Sequence, residues 1–244
     1  MAISERQNSI LNVLKEEKSI RVNKIAKTLY VSEATIRRDL AEMENMGLIE
    51  RSHGGAILAQ NSEEISIFFR MEKNPKEKER VATRALPHIP FFKTVFIDSS
   101  STALALAERM DLNHKTVVTN NLQTALQLSK QPNVNLVLLG GSVQFNTNST
   151  TGSWTTSQLE DFRFDLMLTS CSSVIDGFTY ERSIDGKELK QTAFKKSAKR
   201  ILLIDHTKFD LHGTYRSYSL KEYDLVVTDF IPEGVLGLDG VNII

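Results

Sequence analysis

One cysteine in 244 residues, Cys171, rules out an internal disulfide and any cysteine-rich metal site. It lies in Leu168-Thr169-Ser170-Cys171, where it reads as a buried small residue. An excess of charge of one sign is also missing. Lys+Arg and Asp+Glu are both 30, so contact with a polyanion has to come from a local basic face. The five histidines, His53, His88, His114, His206 and His212, show no paired ligand spacing, and no metal or other cofactor is expected. The apolar runs are strand-sized, and Glu5-Arg6-Gln7-Asn8 stands where a signal peptide needs apolar residues; a cytoplasmic protein with no membrane partner is expected. Internal repeats and low-complexity tracts are absent. What remains is an ordinary globular composition, 41% hydrophobic and 25% charged, in a chain long enough for two domains.

Three short helices and a hairpin are expected over residues 1–57. Ile10, Leu11 and Leu14 recur at helical spacing behind Ser4, a candidate N-cap. Asn23 is read as the cap of a second helix carrying Ile25, Ala26 and Leu29. After the turn Tyr30-Val31-Ser32, Ser32 caps a third helix running towards Gly47. At 100° per residue Ile36, Leu40 and Met43 point inward, leaving Arg38 and Ala41 opposite and Thr35 and Arg37 on the flanks. Small or hydroxylated residues at the helix start let it approach bases, and Arg37 and Arg38 pair with phosphate or guanine edges. Leu48-Ile49-Glu50-Arg51 then reads as a strand and Ser52-His53-Gly54-Gly55-Ala56 as the turn of a wing. A charged helix face alone is usually just solvated; here helix lengths, turn, capping serine, outward arginines and a Gly-Gly wing occur together.

The segments Val31-Ser32-Glu33-Ala34-Thr35-Ile36-Arg37-Arg38-Asp39-Leu40 and Arg51-Ser52-His53-Gly54-Gly55-Ala56 resemble the DeoR family of repressors. The resemblance implies a winged helix-turn-helix whose third helix reads a double-stranded DNA operator, with contacts from Ser32, Thr35, Arg37 and Arg38, and from Arg51 and His53 on the wing. Because one short recognition helix reads few base pairs, a homodimer or higher homo-oligomer is expected.

Residues 58–75 are read as a linker, polar over Gln60-Asn61-Ser62-Glu63-Glu64 and ending near the aromatic pair Phe68 and Phe69. Residues 76–244 alternate helical patterns with the apolar runs Thr94–Ile97, Thr116–Thr119, Leu136–Leu139, Leu166–Leu168, Ile201–Ile204 and Leu225–Thr228. That alternation predicts an α/β domain with a mostly parallel sheet covered on both faces, its helices including Ala103–Met110, Leu122–Lys130 and Leu189–Ala198. Ligands bind such sheets at the carboxyl ends of the strands. Asp98-Ser99-Ser100-Ser101-Thr102 follows the first strand and opens a helix, a candidate anion cradle. Thr119-Asn120-Asn121, Gly140-Gly141 and Asp205-His206-Thr207-Lys208 follow three others, so four adjacent strand ends are read as one rim of hydroxyls, amides, close-approach glycines and a lysine.

The resemblance extends through these segments and implies a domain similar to the ribose-5-phosphate isomerase and CoA-transferase-like fold, sensing a phosphorylated sugar. It assigns the phosphate to Ser99, Ser100, Ser101 and Thr102, the sugar to Asn120 and Gly141, and the counter-charge to Lys208. Asp98, Thr119, Gly140 and Asp205 complete the expected effector site. Where many family members place a glycine in the phosphate loop, this chain has none, and Gly186-Lys187 follows Ser183-Ile184-Asp185 where a glutamate is common. Two other readings remain at this stage. One is a sugar-phosphate isomerase-like enzyme fused to a DNA-binding domain, with Asp205 as general base and Lys208 as phosphate clamp. The other is a DNA-binding oligomer whose pocket takes no ligand. A transcriptional regulator that is not an enzyme is the expectation carried forward.

Overall fold

The structure, a computed structural model, describes residues 4–17, 19–45, 48–52, 54–58, 67–210 and 213–244. Contacts divide the chain into two units, Met1–Glu72 and Lys73–Ile244.

The first unit contains α1 (Glu5–Glu17), β1 (Ser19–Arg21), α2 (Val22–Thr28), α3 (Glu33–Asn45), β2 (Ile49–Ser52), β3 (Gly55–Leu58) and α4 (Ile67–Glu72). Ser4 and Gln7 close a capping box on α1, Ser4 Oγ accepting from Gln7 N at 3.2 Å and Gln7 Oε1 from Ser4 N at 3.0 Å. Asn23 does not cap α2. The helix starts at Val22, directly off β1, and its first amide is satisfied by Gly54 O at 2.9 Å, so the wing replaces a side-chain cap. Antiparallel pairing puts β3 between β1 and β2. Gly55 is dictated by that pairing, because a Cβ there would lie 2.2 Å from Ile20 O. Ile10, Leu14, Ile25, Ile36, Leu40 and Met43 form the core, and Phe68 and Phe69 of α4 pack against it.

The second unit opens with α5 (Pro75–Ala85), β4 (Thr94–Ile97), α6 (Ser101–Ala107), β5 (Thr116–Thr119), α7 (Leu122–Leu128) and β6 (Asn135–Leu138). It continues through β7 (Ser142–Gln144), β8 (Ser149–Thr151), α8 (Ser153–Gln158), β9 (Phe164–Thr169), β10 (Ser173–Ile175) and β11 (Phe178–Glu181). It ends with α9 (Ile184–Lys195), β12 (Ser197–Ile204), β13 (Tyr215–Ser219) and β14 (Leu225–Thr228). Six strands form one parallel sheet in the order β14-β12-β9-β4-β5-β6. Alternation along each strand feeds two cores. Val95, Ile97, Ile201 and Leu203 meet α5 and α6 on one face, while Phe96, Leu202 and Ile204 meet α9 on the other. β10, β11 and β13 form a second, antiparallel sheet, and β7 and β8 a separate hairpin.

Two further expectations are corrected. The helix placed at Leu189–Ala198 runs instead from Ile184 to Lys195, because Ser197 onward pairs with β9, and Ser183 Oγ caps it by accepting from Gly186 N at 3.2 Å. The four strand ends are not adjacent either: β9 lies between β4 and β12 and brings Thr169-Ser170-Cys171 to the rim. Among the described residues no helix is long and apolar enough to cross a membrane.

Candidate DNA interface and effector crevice

Helix α3 presents its start through Ser32, whose Oγ accepts from Thr35 N at 3.2 Å and lies 2.9 Å from Thr35 Oγ1. Arg37 and Arg38 are exposed and, among the described residues, make i,i+4 pairs, with Glu33 at 2.9 Å and Glu42 at 3.6 Å. Such pairs are worth tenths of a kcal/mol, about 0.3–0.5, so both guanidinium groups are cheaply released to a phosphate or a base. The helix itself is held firmly. Arg6 grips Asp39 through two hydrogen bonds, and Gln7 donates to Glu42 at 3.0 Å, tying α1 to α3. Asp39 was not singled out from sequence, yet it is buried and paired with Arg6. Arg51 is exposed on β2, its amide donating to Glu44 Oε1 at 3.2 Å. His53 lies outside the described residues.

In the second unit the loop after β4 is built around Asp98. Its buried carboxylate accepts from Ser100 N at 3.0 Å, Thr169 Oγ1 at 2.6 Å and Ser170 N at 3.3 Å. Lys190 of α9 lies 3.3 Å from the same carboxylate and 2.8 Å from Glu181, and donates to Ser170 O at 2.7 Å. Asp98 therefore shapes the loop. Burial works against the charged Lys190, but Glu181 and Asp98 outweigh it and raise its pKa above the ordinary lysine value. Ser100 caps α6 by accepting from Ala103 N at 3.1 Å; Ser101 and Thr102 are buried in its first turn, and Ser99 is half-buried. Cys171, buried beside these charges, has its thiol pushed up to about 12, chiefly by burial and then by Glu181.

Asn120 follows β5 and is locked by β8. Its Nδ2 donates to Thr150 O at 3.0 Å, and Thr150 N donates to Asn120 O at 2.8 Å. The Oδ1 of Asn120 is buried with no hydrogen-bond partner among the described residues, a cost of about 1–3 kcal/mol unless a ligand supplies a donor. Thr119 is buried, its hydroxyl accepting from Asn121 N at 3.1 Å. Gly140 and Gly141 are exposed. Gln158 holds the amide and carbonyl of Gly140 at 3.0 and 2.9 Å, and a Cβ on Gly141 would lie 2.0 Å from Thr155 Oγ1. These glycines permit close packing of α8.

Beyond β12, buried Asp205 accepts from Asn74 Nδ2 at 3.4 Å, from Thr207 N at 3.2 Å and from the Thr207 hydroxyl. Burial pushes its pKa up, but the Thr207 hydroxyl, Lys208 and Lys78 together hold it below the ordinary value. Lys78, on α5, is a buried cation that the sequence did not announce. Lys208 is half-buried in a short turn whose first bond runs from Lys208 N to Asp205 O. Among the described residues no cluster of three His, Cys, Asp or Glu side chains is placed to hold a metal ion.

Two family descriptions divide the chain between them: a DeoR-like helix-turn-helix domain over residues 6–62 and a DeoR C terminal sensor domain over residues 73–230. The chain belongs to the DeoR family. Its first unit is accordingly a DNA-binding helix-turn-helix and its second a sensor domain. DeoR-family relatives span nearly the same length. The HTH-type transcriptional regulator GolR of Listeria innocua is 35% identical over 92% of this chain and 90% of its own. The glycerol-3-phosphate regulon repressor of Escherichia coli is 31% identical over 95% and 93%. The lactose phosphotransferase system repressor of Staphylococcus aureus is 32% identical over 94% and 93%. Among solved structures, ribose 5-phosphate isomerase A of Methanocaldococcus jannaschii aligns with a TM-score of 0.41 and 12% identity, over 56% of this chain and 55% of that one.

Proposed function

We propose that this chain represses genes of sugar metabolism and leaves its operator when a phosphorylated sugar binds the crevice at the carboxyl ends of the parallel strands. Arg37, Arg38, Ser32 and Thr35 contact the major groove, and Arg51 the DNA backbone beside it. The ligand's phosphate rests on the Ser99-Ser100-Ser101-Thr102 loop, and its charge is met from the β12 side. Lys190 is already offset by Asp98 and Glu181, and on the β12 side Lys78 and Lys208 act together on Asp205. Neighbouring strands are about 4.8 Å apart, which puts β12 about 10 Å from β4 and within reach of one sugar phosphate.

The observation that carries this reading is the buried, unpartnered Asn120 Oδ1, an acceptor suited to a sugar hydroxyl. The names of the relatives, among them repressors of a glycerol-3-phosphate regulon and a lactose phosphotransferase system, support a phosphorylated compound. A ligand that binds the free protein more tightly than the DNA-bound one weakens operator binding by the same factor. The relatives are regulators, which favours a sensor over an isomerase. Because one recognition helix reads few base pairs, the working form is a homo-oligomer in the cytoplasm.

Thermal unfolding of the full chain against a panel of sugar phosphates, with inorganic phosphate and free sugars as controls, tests the sensor. One sugar phosphate at about 100 times its dissociation constant should add roughly 2.7 kcal/mol. No shift with any member of the panel would leave the DNA-binding half standing and remove the sensor half; turnover of a sugar phosphate would establish the enzyme instead.

A further inference from the structure

From Thr116 to Leu159 this chain, 25% charged overall, holds a single charged side chain, Lys130, and no histidine. That stretch builds β5, α7, β6, β7, β8 and α8, the end of the sheet where β6 is the edge strand. Leu126 on α7, Leu138 closing β6, Val143 on β7, Phe145 in the hairpin turn and Trp154 opening α8 are all exposed, Phe145 by 81% and Trp154 by 76%. Two exposed aromatic residues elsewhere in the sensor unit, Phe91 and Phe230, have local company. Lys115 sits 4.5 Å over the Phe91 ring, and Phe230 stacks on His206.

We propose that this uncharged, apolar edge is the surface on which a second copy of the chain docks. Interface centres are depleted of charge and enriched in Trp and Phe. A two-fold contact lays one patch on itself, so any net charge would repel its own image, and a neutral patch is complementary to a second neutral patch. Phe145 and Trp154 supply roughly 300 Å² between them, given the 150–250 Å² such side chains bury. A standard interface takes about 800 Å² from each partner, and β6 adds to the area. Its outer edge has no paired strand among the described residues, and Val134–Leu139 carries neither the lysine nor the proline that ordinarily blocks edge pairing. The inference deepens the oligomer named in the proposed function by assigning its surface.

Trp154 is the sole tryptophan, so its emission reports this contact directly. The full chain would be diluted stepwise while sedimentation and tryptophan emission are followed together. The expected result is a blue-shifted emission in the oligomer that moves to the solvent-exposed value in step with dissociation. Phe145→Ser, with unchanged circular dichroism, should raise the dissociation constant at least tenfold. An oligomer whose emission stays at the exposed value at every concentration would overturn the surface and leave the oligomer intact. A monomer throughout would overturn both, while sugar-phosphate binding, measured separately, would be untouched. Should Phe145→Ser fail to fold, the wild-type emission decides alone.

Discussion

Charged side chains are used in opposite ways in the two units. On the outer face of α3 the two arginines are exposed and loosely paired, Arg38 standing 3.6 Å from Glu42 in solvent, while Asp39 on the inner face is buried and held by Arg6. In the sensor unit Lys190 is buried between Asp98 and Glu181 at 3.3 and 2.8 Å. An exposed pair is worth little and is readily exchanged for a DNA phosphate. A buried one is expensive to break and fixes the backbone around it. The first unit thus keeps its charge available for a polyanion, and the second spends charge on the shape of a pocket.

The largest expected effect is at the buried group. Lys190→Ala strands two carboxylates and should destabilise the sensor unit by about 3–5 kcal/mol, roughly ten degrees of Tm for a domain of this size. A thermal scan showing a change within two or three degrees would erase the contrast between the units. Next, Lys208→Ala should abolish the ~2.7 kcal/mol stabilisation by sugar phosphate at about 100 times its dissociation constant, measured against the variant's own unliganded Tm. If the shift survives, the phosphate charge is met elsewhere on the rim.

On the DNA side, Arg37→Ala or Arg38→Ala should cost roughly 1–3 kcal/mol of operator affinity if the guanidinium reads a base, while a phosphate contact shows as a shallower salt dependence. Binding titrations at several salt concentrations separate the two cases, and unchanged affinity for both variants would remove α3 as the reader. Ser32→Ala removes a cap and should cost about 1 kcal/mol of stability, measurable by chemical denaturation of the full chain.

The smallest effect concerns pH. Because Asp205 is held below its ordinary 3.8, its contribution is fully present above that value and is lost as pH falls through the lower folded one. Asp205→Asn should therefore be less stable than wild type near neutrality, the gap closing in acid. A gap independent of pH would show that the variant acts through packing.

What could be read from the sequence was local. Ser32 as a cap, the inward Ile36-Leu40-Met43 stripe and the apolar strands each rest on neighbours a few residues apart, and all appear in the structure. Asn23 failed as a cap because the wing's Gly54, far along the chain, satisfies the α2 amide first. Lys190, Glu181 and Lys78 gave no local signal. A lysine on a helix reads as solvated until a strand end is laid beside it. Asn120 was legible as a polar residue after a strand, whereas its unpartnered oxygen became visible only once Thr150 had taken its amide.

By itself the sequence determined the two-unit class, the helix-turn-helix with its exposed arginine face, and the alternation that makes a parallel sheet, because periodicity and capping are decided within a turn or two of chain. Only tertiary structure decided the strand order that puts β9 between β4 and β12, the burial of Lys190 between carboxylates from the loop after β4 and from β11, and the exposure of Phe145 and Trp154. Those outcomes depend on which distant segments meet, and solvation and charge pairing are set by that meeting.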